Sequence, residues 1–135
     1  MRNENAYIDT RNNVEQHLQE LHTLITQKDC QLDILPRKRD EQEDDLYTTE
    51  NTMLALGYNS EDIKRELSLL NVSDYIENIK DDKYIDSPDF RVFGKEIQGR
   101  QIYIKEKIRT SKKIFCVSFH FARFPLKPRP YAKSE

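Results

Sequence analysis

The sequence predicts an α+β fold in which N-terminal helices pack on one face of a C-terminal antiparallel β-sheet. Apolar residues recur at helical spacing through residues 1–89, and from residue 90 they alternate with polar residues, as in half-buried strands. A length of 135 residues suits a single domain. We therefore expect one domain over 1–135, with a mainly helical, acidic part at 1–89, a basic antiparallel sheet at 90–124 and a tail at 125–135.

The first helix is predicted over residues 14–28, where apolar side chains are spaced three and four positions apart. Asn12 or Asn13 is the expected N-cap. His17 and His22 lie on this helix five positions apart, so they do not share a face as a metal-binding pair would require. We expect both histidines at the surface or flank of the helix.

A short strand at 31–35 comes next, and the proline that follows it favours a position at the edge of the sheet. Helices are then predicted at 46–56, which ends before a glycine suited to the left-handed cap, and at 59–70. A further short helix is predicted at 73–79, and an Asp-rich loop at 80–89.

Charge is distributed unevenly along the chain. Residues 1–89 carry 10 Lys/Arg and 21 Asp/Glu, whereas residues 90–135 carry 12 and 3. A basic segment with interleaved aromatic residues is typical of nucleic-acid contact. Mutual neutralisation of the two parts explains the same numbers, and charge alone leaves both interpretations open. For the basic triplet Arg37-Lys38-Arg39, pairing with the acidic run at 40–45 is the simpler interpretation.

Several classes of function lack their sequence signals. No apolar run approaches the roughly 18 residues of a membrane span, and the start at Met1 has no apolar signal-peptide core. Cys30 and Cys116 have no neighbouring Cys or His that would complete a zinc site, and neither a phosphate-binding loop nor a dinucleotide-binding turn is present. We therefore expect a cytoplasmic protein without a membrane partner, metal or cofactor.

Three strands are predicted in the basic part, at 90–97, 100–109 and 113–121. A slip of one residue would exchange the two faces of a strand, so side-chain chemistry indicates the register. With a turn at Ser111-Lys112, one face of the second hairpin is apolar: Ile102 opposes Phe121, Ile104 opposes Phe119, and Ile108 opposes Phe115. The other face is polar: Tyr103 opposes His120, Lys105 opposes Ser118, and Lys107 opposes Cys116. A β-bulge would interrupt this pairing.

The first hairpin, with its turn at Gln98-Gly99, places Arg91 opposite Glu106 as a cross-strand ion pair. It also places Gly94 beside Tyr103. Because glycine has no side chain, we expect open space there, into which the backbone of a ligand could approach.

The polar face carries the groups that metal-free RNA cleavage requires. A base takes the proton of the ribose 2′-hydroxyl, an acid protonates the departing 5′-oxygen, and cations stabilise the phosphate. His120 suits the acid or base because its pKa lies near neutrality. Tyr103 could transfer a proton if Lys105 lowered its pKa from about 10. Plain phosphate binding, or a polar face that simply meets solvent, accounts for the same residues.

Three segments, 90–96, 99–105 and 115–120, followed by Pro125-Leu126, resemble the MqsR-like toxins of bacterial toxin–antitoxin systems. The resemblance implies a RelE-like fold and sequence-selective cleavage of mRNA without a metal, restrained by a cognate antitoxin protein. It also implies that Tyr103 is the catalytic tyrosine of the family's Tyr-aliphatic-Lys strand.

This sequence departs from the family's pattern at three positions. His120 stands where the best-known member has a catalytic lysine, Glu77 where that member has a basic residue, and Phe90 where it has an amide. We therefore expect catalysis by Tyr103, His120 and Lys105, with phosphate bound by Arg91, Lys107 and Arg109. The alternative function is a catalytically silent module that binds nucleic acid or protein, such as a regulator or inhibitor encoded by a mobile element.

Overall fold

The structure is a computed structural model that describes residues 5–84 and 86–132. These residues form three α-helices and a six-stranded, mostly antiparallel sheet, which confirms the α+β class. The helices are α1 Arg11–Ile25, α2 Thr49–Leu56 and α3 Ser60–Ser68. The strands are β1 Ala6–Tyr7, β2 Gln31–Ile34, β3 Tyr75–Ile79, β4 Phe90–Ile97, β5 Arg100–Thr110 and β6 Lys113–Phe121, in the order β1-β3-β4-β5-β6-β2.

Local capping sets the helix ends. The Thr10 side chain accepts a hydrogen bond from the Asn13 backbone N–H, so α1 begins before the predicted asparagine cap, and that prediction is wrong. Helix α2 ends at Gly57 in the left-handed conformation, with φ 72°, as expected. Asn59 and Asp62 form a capping box at the start of α3. None of the described helices is long and apolar enough to cross a membrane.

The helix predicted at 73–79 is wrong. A short 3-10 turn over Val72–Asp74 leads into β3, whose five residues are all buried. The side chains of β3 are buried on both faces of the sheet, and a strand buried on both faces loses the alternation of apolar and polar residues that marks a half-buried strand. The Tyr75, Ile76 and Ile79 spacing therefore resembles one turn of a helix.

β2 is an edge strand, as predicted, but it runs parallel to β6. Beyond the end of β2, helix α2 supplies the missing acceptors for β6. The hydroxyls of Thr49 and Thr52 accept the backbone N–H groups of Phe119 and Phe121, each at 3.0 Å. Both threonines are buried, so these bonds satisfy backbone N–H groups that would otherwise be buried without a hydrogen-bond partner.

The register of β4 and β5 is as predicted, and so are the first four pairs of β5 and β6, from Ile102 to Lys105. A β-bulge at Val117 then shifts the pairing by one residue, so Lys107 opposes Phe115 and Ile108 opposes Ile114. The pairs predicted for Lys107 and Ile108 are therefore wrong. Cys116 and Phe119 are three positions apart, and because of the bulge both side chains lie in the buried core.

The sheet thus has two distinct faces. The inner face carries Ile102, Ile104 and Glu106 of β5, and the outer face carries Tyr103, Lys105 and Lys107. Inner-face residues share one buried cluster with apolar side chains of α1 and α3: Val14, Leu18, Leu21, Ile63, Leu67, Phe93, Ile102, Ile104 and Phe119. The outer face has a smaller cluster of Ile76, Ile79 and Val92, against which Tyr103 and Leu126 pack.

A polar network crosses the inner face. Arg91 donates to Asp9 at 3.1 Å and lies 3.2 Å from Nδ1 of His17, whose Nε2 lies 2.6 Å from Glu106. Because a guanidinium only donates, Nδ1 accepts and Nε2 carries the proton donated to the carboxylate. His17 is buried, so the prediction that it lies at the surface or flank of the helix is wrong. Arg91 and Glu106 are cross-strand partners as predicted, but His17 stands between their side chains, so the predicted ion pair between them is wrong.

Ion pairs join the two charge regions of the chain. Seven basic residues after position 90 pair with acidic residues before it: Arg91 with Asp9, Lys95 with Glu66, Lys107 with Asp81, Arg109 with Asp33, Lys112 with Asp29, Arg123 with Asp45 and Lys127 with Glu77. Mutual neutralisation therefore accounts for much of the charge asymmetry. The cations that matter for an anionic ligand are those outside these pairs.

Candidate active site

A cleft of about 380 Å³ lies over the outer face, with Tyr103 and His120 among its lining residues. These two residues are cross-strand partners, as predicted, and their rings stack with centroids 5.3 Å apart and planes inclined by 17°. The remaining lining residues come from the loop after β2, from β3 and from the segment after β6: Lys38, Glu41, Ile76, Glu77, Ile79, Ala122, Arg123, Phe124, Pro125, Leu126 and Lys127. We call this space the Tyr103 cleft.

The segment 122–127 forms one wall of the cleft and is held to the sheet. A Cβ on Gly94 would lie 2.6 Å from Cδ1 of Leu126, so the absence of a side chain there makes room for Leu126. The expectation of open space there is therefore wrong, because Leu126 fills it. Lys127 donates to both carboxylate oxygens of Glu77, at 3.0 and 3.2 Å.

The remaining tail is anchored as well. Tyr131 donates to the backbone carbonyl of Asp9 and stacks on Tyr75, with ring centroids 5.9 Å apart. The tail predicted at 125–135 contains no helix or strand as far as residue 132, and residues 133–135 lie outside the described residues.

His120 is oriented by the backbone. Its Nδ1 lies 2.9 Å from the carbonyl oxygen of Phe121, and a carbonyl only accepts, so Nδ1 carries the proton. Nε2 is then the nitrogen available to a ligand. Burial lowers the pKa of His120 below its ordinary value, and the positive charges of Lys38 and Arg123 act in the same direction. The imidazole is therefore neutral at pH 7 and can accept a proton.

The pKa of Tyr103 is shifted in the direction opposite to the one expected. Burial, with the nearby Glu77 carboxylate as a second cause, raises the pKa of Tyr103 to about 12. The expectation that Lys105 lowers this pKa is therefore wrong. A phenol with this pKa stays protonated at neutral pH, so Tyr103 can donate a proton but cannot serve as the base.

Two ammonium groups near this pair lack carboxylate partners. Lys105 lies two residues beyond Tyr103 on the outer face, 4.8 Å from the Phe90 ring centroid, and Lys38 lines the cleft. Within the described residues, neither ammonium makes a hydrogen bond or ion pair. Burial lowers the pKa of Lys105, and repulsion by Lys38 adds to this, whereas Asp81, Asp82 and Glu77 oppose it. Two half-buried, mutually repelling cations favour an anion between them.

The structure separates the three residues predicted to bind phosphate. Arg91 lies on the inner face, within the network of Asp9 and His17. Lys107 is on the outer face but is buried, and it donates to Asp81 at 2.5 Å and to Ser87 at 2.6 Å.

Arg109 is half-exposed at the far end of β5, with its Cζ 3.9 Å from the centroid of the Phe115 ring. None of these three residues lines the Tyr103 cleft, and neither does Lys105, which was predicted to take part in catalysis.

Two further residues of the predicted polar face are inaccessible. Cys116 is fully buried on the inner face, and this burial raises the pKa of its thiol, so it is no nucleophile. Ser118 is opposite Lys105 as predicted, but it is fully buried and its hydroxyl has no hydrogen-bond partner among the described residues. The accessible chemistry is that of Tyr103, His120 and the two lysines.

Sequence reasoning missed Lys38 and Phe124. The basic triplet that contains Lys38 was the available signal, but the acidic run after it supported local pairing. Lys38 contacts that run through its backbone: its N–H donates to the Glu41 carboxylate and its carbonyl accepts from the Glu41 N–H. Phe124 lies between Arg123 and Pro125, where apolar and polar residues do not alternate, so no pattern in the sequence marked it as a site residue.

The site therefore offers a proton acceptor, a proton donor and two cations for an anion. No group of three His, Cys, Asp or Glu side chains that could hold a metal occurs within residues 5–84 and 86–132. Comparison with known proteins gave no match to the chain, either among protein-family models or among curated proteins and solved structures.

Proposed function

We propose that this protein is a metal-independent, sequence-selective endoribonuclease that cleaves mRNA at the Tyr103 cleft, as the toxin of a toxin–antitoxin pair. One observation carries the proposal: the stacked Tyr103 and His120 line a cleft together with Lys38, a cation without a carboxylate partner in the described structure. Lys105, which also lacks a carboxylate partner there, lies two residues beyond Tyr103 on the same face of the sheet. The resemblance to the MqsR-like toxins adds a RelE-like arrangement, with helices on one face of the sheet, and an antitoxin partner in the cytoplasm.

The roles follow from the protonation states. Neutral His120 takes the proton of a ribose 2′-hydroxyl through Nε2. The 2′-oxygen forms a bond to phosphorus while the bond from phosphorus to the 5′-oxygen breaks. Tyr103 gives its proton to that oxygen, a downhill transfer because an alkoxide is a stronger base than a phenolate. The products are a 2′,3′-cyclic phosphate and a 5′-hydroxyl, and the proton held by His120 is returned to Tyr103 through solvent.

Lys38 and Lys105 supply the positive charge for the phosphate. Negative charge grows on the phosphate oxygens as the 2′-oxygen attacks, and preorganised cations stabilise it without reorganisation. Half-buried ammonium groups are more effective here than exposed ones, because water screens them less. In this mechanism Lys38 takes the phosphate-binding role that the sequence analysis assigned to Arg91, Lys107 and Arg109.

The test is cleavage of a long mRNA by the purified protein in EDTA, with the new ends mapped. Groups that transfer protons typically contribute 10²–10⁴-fold in rate, so we expect His120→Ala and Tyr103→Phe each to slow cleavage by at least about a hundredfold. Tyr84→Phe is the matched control, since Tyr84 is exposed and does not line the cleft.

Discrete cuts with 2′,3′-cyclic phosphate ends that disappear in both site variants support the proposal. Wild-type cleavage by both variants would show that the site is wrongly assigned. The second candidate is a silent binding module, favoured by the extensive pairing of cations within the chain. Intact RNA that shifts in a gel would support that module, and intact RNA without a shift would point to a protein ligand.

A further inference from the structure

Phe124 is an exposed aromatic residue that lines the Tyr103 cleft. It leaves 74% of its surface accessible, in the short segment that connects β6 to the anchored tail. Isolated apolar residues are common on protein surfaces and need no explanation. The position of this ring at the wall of a cleft that also holds Tyr103 and His120 sets it apart.

The backbone on both sides of Phe124 is fixed. Arg123 pairs with Asp45 and lies 5.0 Å from the centroid of the Tyr47 ring. On the other side, Pro125 restricts the backbone and Leu126 fills the space over Gly94. The ring is therefore presented to the cleft by a segment held at both ends, which reduces the conformational entropy lost when a ligand packs on it.

The surroundings of the ring indicate which ligand suits it. A flat aromatic surface close to an unpaired ammonium, here Lys38, is the combination that proteins use to bind single-stranded nucleic acid, where a base stacks on the ring and a cation holds the phosphate. The cleft volume of about 380 Å³ is at the lower end of ligand pockets, which span roughly 300–1,000 Å³. A base can enter such a space only after it has left its helical stack.

We propose that Phe124 stacks on an unpaired base of the RNA bound at the Tyr103 cleft, which makes the protein selective for single-stranded over duplex RNA. This inference rests on the proposed function for the choice of RNA as the ligand. It assigns to Phe124 a contact with substrate that is separate from the proton transfers of His120 and Tyr103.

The test measures binding without cleavage. A fluorescent RNA strand with 2′-O-methyl groups has no free 2′-hydroxyl and cannot be cut, so fluorescence anisotropy reports affinity alone. The strand is titrated by itself and as a duplex with its complement, against wild type, Phe124→Ala and Phe124→Trp. Tyr84→Ala is the matched control, because it removes a ring that is 58% exposed and does not line the cleft.

We expect Phe124→Ala to weaken binding of the single strand by roughly 5- to 150-fold, the range supplied by one base stacked on an aromatic ring. Phe124→Trp should retain wild-type affinity, and Tyr84→Ala should behave like wild type. Unchanged affinity in Phe124→Ala, or an equal loss for single strand and duplex, would overturn the inference.

Parallel cleavage assays on unmodified RNA separate this inference from the proposed function. If the wild type cuts RNA while the affinity of Phe124→Ala for the modified strand is unchanged, the stacking role is wrong and the nuclease stands. If binding depends on Phe124 but no RNA is cut, the stacking role stands and the nuclease proposal fails.

Discussion

His17 of α1 packs against the inner face of the sheet and His120 lies on the outer face, and the two histidines have opposite surroundings. His17, on the inner side, is enclosed between Arg91 and Glu106, and both of its ring nitrogens are engaged. His120, on the outer side, is held at Nδ1 only, and the residue lines the Tyr103 cleft. The first arrangement uses its hydrogen-bonding capacity within the fold. The second keeps one nitrogen available, as chemistry on a ligand requires.

The lysines of β5 show the same contrast on one strand. Lys107 is buried and satisfied by Asp81 and Ser87, whereas Lys105 has no carboxylate partner among the described residues. Both side chains lie on the outer face, two positions apart. A cation paired within the chain contributes to the fold, and a half-buried cation without a partner costs stability that a bound anion can offset.

The first prediction, which has the greatest magnitude, is a loss of stability when His17 is removed from its network with Arg91 and Glu106. His17→Ala leaves the Glu106 carboxylate buried without its partner, and removal of one member of a buried pair typically costs about 3–5 kcal/mol. His22→Ala is the matched control on the same helix, because no ion pair of His22 occurs among the described residues. Urea denaturation measures the free energy of unfolding. A loss no greater than that of His22→Ala would show that the network contributes little.

The second prediction tests whether His120 acts as the base, through the pH dependence of cleavage. A base must be neutral, and burial sets the pKa of His120 below 6.5. We therefore expect kcat/KM for RNA cleavage to fall as the pH is lowered through that pKa, approaching a loss of about tenfold per pH unit below it. The Tyr103 phenol, with a pKa of about 12, stays protonated throughout. A rate that rises as the pH falls below 6.5 would instead assign His120 as the acid.

The smallest effect tests the unpaired cations. Lys105→Met removes a charge that burial, and secondly repulsion by Lys38, disfavours, so we expect a gain on the order of 0.5 kcal/mol in the free energy of unfolding. Lys107→Met, which leaves Asp81 without its partner, should instead destabilise the protein.

Salt dependence of RNA binding completes this test. Each phosphate contact to a single strand contributes about −0.7 to the slope of log affinity against log salt. Two contacts predict a slope of about −1.4 for wild type and about −0.7 for Lys105→Met. Lys112→Met, which removes an exposed cation paired with Asp29, should keep the wild-type slope. An unchanged slope in Lys105→Met would remove Lys105 from the phosphate site.

The sequence was sufficient where neighbours in the chain decide the structure. The glycine after α2, the capping residues of α3 and the turn at Gln98-Gly99 are local signals, and each marks its element correctly. The stacked Tyr103 and His120 were also predictable, because cross-strand partners follow from a short turn and the alternation of faces.

The bulge at Val117 could not be predicted from local sequence signals. Phe115 and Cys116 are both acceptable in a core, so the alternation along β6 is compatible with either of them facing inward. The structure places Cys116 inside and leaves Phe115 beside Arg109 on the outer face. This choice depends on how β6 packs against β5 and α2, which are elements separated from it along the chain.

The sequence by itself determined the α+β class, the hairpins of the basic segment and the pairing of Tyr103 with His120, because these depend on local turns and on side-chain alternation. The tertiary structure decided which cations are neutralised and which remain unpaired. It brought Lys38 and Phe124 to the cleft and placed His17 between Arg91 and Glu106. The physical reason is that burial and charge pairing depend on distances between residues far apart in sequence, which a one-dimensional pattern does not contain.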